Sequence, residues 1–136
     1  MRFILLLILF CSFIQGAYTQ STLSKETARI HNVVKDFFDG IAEWNILTCL
    51  NACTPDVIIL ETGVIWTMDT IVQRINNKIN TGGEFRRIND LEFLDTDIQG
   101  EVAWLYYNNH ASISFNGTLK NIHWLESAVL RRIDGR

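Results

Sequence analysis

Two residues, Asn116-Gly117, constrain this chain more than any others. Both tolerate the positive φ angles of a tight hairpin turn, and they separate two strand-like runs, residues 101–115 and 118–133. A two-residue loop without a bulge pairs position 115 with 118 and position 107 with 126. That register sorts every side chain onto one of two faces, because successive strand residues alternate. One face of the ribbon carries Ala103, Leu105, Tyr107, Asn109, Ala111 and Ile113 opposite Leu130, Ala128, Glu126, Trp124, Ile122 and Lys120. The other carries Val102, Trp104, Tyr106, Asn108 and His110 opposite Arg131, Val129, Ser127, Leu125 and His123. The first face, rich in small and aliphatic residues, is the expected concave side. The second, aromatic with some charge, suits a dimer surface.

Upstream, Ile30, Val33, Val34, Phe37 and Phe38 recur at helical spacing over residues 24–38, with Ser24 as N-cap and Asp39-Gly40 as stop. A shorter helix opens near Asn45 with Ile46, Leu47 and Leu50, and Thr54-Pro55-Asp56 ends it. VIILE (57–61) and VIWT (64–67) flank Thr62-Gly63 as a tight hairpin. Thr67 caps a third helix with an apolar stripe of Met68, Ile71, Val72, Ile75 and Ile79, closed by Gly82-Gly83. Residues 84–96 form one more long strand, and DTDIQGE (95–101) reads as the hairpin turn after it, without the ligand spacing of a calcium loop. Arg86 and Arg87 read as solvent partners of nearby acids. The predicted architecture is α+β: three helices in one layer on a curved, mostly antiparallel sheet.

The N-terminus has its own character. Arg2 precedes the run FILLLILFCSFI (3–14), and small and polar residues follow. Twelve residues fall short of the about 20 a membrane span needs but suit the core of a secretory signal. Ala17 and Thr19 would stand at −3 and −1 of a cleavage before Gln20. Residues 1–19 are therefore expected to be a signal peptide, and the mature domain, residues 20–136, to be secreted or periplasmic with no membrane association. Cys11 lacks the small preceding residues of a lipoprotein site. Without Arg2, Lys and Arg fall from 12 to 11 against 15 acidic residues, and no basic stripe favours nucleic acid. Cys49 and Cys53, four apart, read as two small core residues: a disulfide would strain a regular helix, and no His completes a zinc site.

Four stretches, VVKDFFDGIAEWN (33–45), TPDVIILETG (54–63), EVAWLYY (101–107) and LESAVLRRIDG (125–135), resemble the SnoaL-like branch of the nuclear transport factor 2 (NTF2) superfamily in order and spacing. That resemblance implies a cone-shaped domain with a pocket between sheet and helices. It also implies a final strand after Asp134-Gly135, where only Arg136 remains, so the expected domain is C-terminally truncated. Ketosteroid isomerases of this superfamily pair an Asp base with a Tyr and a protonated Asp. By the resemblance Glu61 takes the base position and Glu126 the protonated-acid position, although counting back from the final turn gives Ser127. The helix-one Tyr falls at Phe37, which has no hydroxyl.

The residues alone also single out Glu126. Its ribbon neighbours Trp124, Ala128, Leu105 and Tyr107 would desolvate a carboxyl and raise its pKa, and Tyr107 stands opposite to bond it. Its alternatives are a structural Tyr–Glu bond or a bulge that turns it to water. Glu61 ends an apolar strand beside a turn, where a solvated strand end is the plain alternative. Trp66 packs the core or grips a ligand; Tyr107, Trp124 and Asn109 are the other expected ligand-lining residues. His110 and His123 face each other without a third ligand, so no metal is expected, and no cofactor either. Asn116-Gly-Thr118 matches a glycosylation sequon but is first a turn. There is no nucleophile elbow, phosphate loop or Cys–His pair. The expected function is binding of a small apolar molecule, with homodimerisation through the sheet. An isomerase, dehydratase or hydrolase using Glu61 and Glu126, or a dimerisation module without ligand, are the alternatives.

Overall fold

The computed structural model describes residues 3–134, with side chains from residue 23 onward. The side chains of the expected signal peptide and the Gly135 half of the final turn lie outside the described residues. The elements run α1 (Phe3–Ala42), α2 (Ile46–Ala52), β1 (Ile59–Glu61), β2 (Val64–Trp66), α3 (Met68–Thr81), β3 (Phe85–Gln99), β4 (Val102–Phe115) and β5 (Thr118–Arg131). The three long strands form one antiparallel sheet in the order β3-β4-β5, and β1-β2 is a separate two-stranded sheet. No helix among the described residues is long and apolar enough to cross a membrane.

The β4–β5 register is the one the Asn-Gly turn dictates: Phe115 pairs with Thr118 and Tyr107 with Glu126, without a slip. Asn116 and Gly117 adopt φ of 49° and 81°, and the Asn116 side chain accepts the Glu84 amide at 2.9 Å. The turn is thereby tied to the start of β3. Thr62-Gly63, with φ of 47° and 80°, joins β1 to β2 in the same manner. Asn45 caps α2 by accepting the Thr48 amide at 3.2 Å. Thr67 and Thr70 form a reciprocal capping box at the start of α3.

Three local expectations are corrected. Ser24 does not start a helix: α1 passes through it unbroken, because no Pro or Gly interrupts the backbone between residues 17 and 39. Residues 95–99 are not a turn. β3 continues to Gln99, which pairs with Val102, so that Gly100 (φ 61°) and Glu101 alone make the loop. Arg87 does not face solvent. It lies on the inward side of β3, whereas Arg86 lies outside. A bulge between Phe93 and Asp95 leaves Leu94 unpaired and resets the alternation, so Thr96 and Ile98 face inward beyond it.

The concave face of β4 is the buried one, as expected: Ala103, Leu105, Tyr107, Asn109 and Ala111. Two apolar clusters fill the space between layers. Val34 and Phe38 of α1 pack on Leu105 and Tyr107, with Leu91, Phe93, Ala128 and Leu130 around them. Cys49, Met68, Ile71 and Ile75 form a second cluster joining α2, α3 and the β1-β2 hairpin, and Trp66 packs against it. Phe37 touches both. Arg132, just past β5, pairs with Glu26 and ties the end of the sheet to α1.

Candidate functional site

Alternation along β4 and β5 brings Tyr107, Asn109, Trp124 and Glu126 to one place on the concave face. Tyr107 stands opposite Glu126, and Asn109 opposite Trp124. Asn109 is fully buried, and its amide nitrogen donates to Glu126 Oε2 at 3.2 Å. Burial raises the Glu126 pKa, because a desolvated carboxylate loses its hydration. The Asn109 amide and the Arg87 guanidinium work the other way, as does the Tyr107 hydroxyl, while Glu61 adds to the rise. Burial, and then the neighbouring Glu126 carboxylate, drive the Tyr107 pKa upward, so the phenol stays neutral. Ser127 lies on the opposite face, where it pairs with Tyr106.

Arg87 is the residue that reading the sequence missed. Its guanidinium carbon lies 5.7 Å from the Trp124 ring centroid and 5.9 Å from that of Phe38. Its Nε donates to Asn89 Oδ1 at 2.8 Å, and Asn89 in turn donates to the Phe38 carbonyl at 3.4 Å. Burial lowers its pKa, offset by Glu126 and then Glu61, but a guanidinium stays charged at any relevant pH. Strand parity could have revealed Arg87 only if the bulge and the Gly100 turn had been known.

Glu61, at the end of β1, accepts the Thr62 hydroxyl at 2.5 Å. Its charge raises the pKa of both Arg87 and Glu126. Trp66 sits at the other end of the hairpin, opposite Ile59, with the Arg74 guanidinium 4.0 Å from its ring centroid. Its indole N–H is buried without a partner. Of the expected residues, Tyr107, Asn109, Trp124 and Glu126 share the concave face of β4 and β5, Glu61 acts on Glu126 through its charge, and Trp66 packs against the α2–α3 cluster. Phe37 likewise packs in the core. His110 and His123 stack on the convex face, ring centroids 4.4 Å apart, and His123 bonds Asn108 at 3.0 Å. No group of three metal-ligating side chains occurs among the described residues.

No family model and no curated protein matches this sequence. Solved structures do. A conserved protein from Planctomyces limnophilus DSM 3776 superposes with TM-score 0.69 at 12% identity, over 82% of this chain and 87% of that one. The CamKII hub homology domain of Chlamydomonas reinhardtii gives 0.70 at 16%, over 81% and 89%. A provisionally assigned ketosteroid isomerase from Shewanella frigidimarina NCIMB 400 gives 0.59 at 22%, over 77% and 85%. At such identities the likeness establishes the fold and nothing finer. The chain has an NTF2-like α+β fold, here with a three-stranded sheet that is not closed.

Proposed function

We propose that this protein is an exported, non-catalytic binder of a small molecule, largely apolar, held against the concave face of the sheet near α1 and the β1-β2 hairpin. The observation that carries this reading is a polar cluster set among aromatic rings. Glu126, Asn109 and Arg87 sit beside Trp124, Phe38 and Tyr107, an apolar wall with a few convergent polar groups, as small-molecule sites generally have. The fold is one that also hosts enzymes. Catalysis is the less supported reading, because Phe37 brings no hydroxyl where the resemblance calls for a Tyr. The convex face of the sheet is the proposed homodimer surface, and the mature protein is proposed to begin at Gln20.

Tryptophan fluorescence tests the binding reading, since Trp124 borders the site. A panel of small apolar compounds should include at least one that changes the emission saturably. Silence across a broad panel sinks the proposal. Mass spectrometry of exported protein should find an N-terminus at Gln20; retention of residues 1–19 would refute export by cleavage.

The second reading, catalysis by Glu61 and Glu126, is favoured by one observation: the raised pKa of Glu126 next to a second carboxylate suits a general acid. On that reading Glu61→Gln abolishes turnover of any substrate found and leaves Tm nearly unchanged. Unaltered turnover removes Glu61 from the chemistry.

A further inference from the structure

Asn109 presents an unusual arrangement. It is fully buried, its amide nitrogen is engaged by Glu126, and its Oδ1 has no hydrogen-bond partner. Buried carbonyl oxygens are nearly always satisfied, and an exception calls for an explanation. The orientation of this amide follows from its neighbours. While Glu126 is ionised it is an acceptor only, flanked by two potential donors, Asn109 Nδ2 and the Tyr107 hydroxyl, so Nδ2 faces it and Oδ1 faces the other way.

Two acceptor groups meet here, Asn109 Oδ1 and the Glu126 carboxylate, and the Glu61 charge acts on Glu126 from the hairpin. The Arg87 guanidinium feels both the Glu126 and the Glu61 charge, and its Nε already serves Asn89. The Trp124 and Phe38 rings lie near its guanidinium.

Building on the binding reading above, we propose that this site selects ligands whose head group donates hydrogen bonds, an ammonium or a hydroxyl, on a small aromatic or aliphatic body. The donor satisfies Asn109 Oδ1 and lies against Glu126, whose charge also attracts an ammonium. A ketone or carboxylate head would leave Oδ1 unmet and bring like charge or lone pairs toward Glu126. The remaining N–H groups of Arg87 favour a carboxylate head, which makes carboxylates the discriminating control.

The experiment titrates the full chain by calorimetry with three probes of one body: 2-phenylethylamine, 2-phenylethanol and phenylacetate. The amine and the alcohol should bind at least about tenfold tighter than phenylacetate. Asn109→Leu, close in volume, should erase that preference and raise the ligand-free Tm, since it removes a polar atom with no partner. A lowered Tm with the preference intact would make Asn109 merely structural and overturn the proposal. A second measurement needs no variant. As pH falls and Glu126 takes up a proton, its hydroxyl can itself donate to Oδ1, so the preference should narrow; a preference independent of pH counts against the idea. Tightest binding by phenylacetate, or binding only of apolar compounds without a head group, overturns the donor proposal and leaves the binding reading standing. Failure of every compound to bind overturns both.

Discussion

Glu126 is where physical chemistry at a single residue speaks most directly. Burial makes its neutral form the one the fold prefers, so its folded pKa lies above the unfolded value. The stability this group contributes is therefore complete below the unfolded pKa and is lost as pH rises through the folded one. Glu126→Gln has no charge to desolvate. It should melt above the parent at neutral pH, and the gap should close as pH falls into the acid range. Circular-dichroism melts of both proteins across pH check this; His31, whose pKa is lowered by burial and then by Lys35, titrates in both and cancels. A gap that ignores pH would mean that the carboxyl is solvated. The rise in pKa was legible beforehand, because the ribbon register put Trp124, Ala128, Leu105 and Tyr107 around this carboxyl. Arg87 was not legible, since nothing local in FRRIND says which of two adjacent arginines faces inward.

Among elements, the contact between α1 and α2 is the most sensitive to a small change. A Cβ added at Gly40 would stand 2.7 Å from Cys49 Sγ and 2.9 Å from the Cys49 backbone nitrogen. The side chain could turn aside, but the backbone of α2 cannot. Alanine gains about 1 kcal/mol in helix propensity, yet overpacking of this kind costs about 1–3 kcal/mol. Gly40→Ala should therefore lower stability in urea unfolding, and Cys49→Ala in the same chain should restore it only in part. An unchanged midpoint would show that α2 moves freely. The hairpins behaved differently. Asn116-Gly117 and Thr62-Gly63 carry their conformation in two residues each, so both registers were readable without any tertiary information. The β3–β4 connection had no comparable signal. Its loop was placed too broadly, and the bulge after Phe93 went unseen.

Among the described residues the convex face of the sheet leaves a broad surface uncovered. Trp104 is 45% exposed, Leu125 68% and Val129 72%, and with Tyr106 and Ser127 the first two border a shallow depression of about 400 Å³. Patches of this kind mark interaction surfaces, which supports the proposed homodimer. Light scattering should report a mass that depends on concentration, and Trp104→Asp should give monomers with an intact near-ultraviolet circular-dichroism signal. If the variant keeps the parent mass, the subunits meet elsewhere. Monomer mass in the parent at all concentrations would dismiss the dimer itself.

What the sequence determined by itself was local. Caps, two-residue turns and alternation depend on neighbours a few positions apart, so α2, α3, both tight hairpins and the concave face of β4 and β5 could be read directly. The α+β order of elements followed from them. Tertiary structure alone decided which of these surfaces meet. It placed Arg87 under the Trp124 and Phe38 rings, packed Trp66 against the α2–α3 cluster, and buried Asn109 with one oxygen unmatched. Those outcomes rest on the β3 bulge and on packing between residues far apart in the chain, where strand parity and burial are set by contacts that no short window of sequence contains.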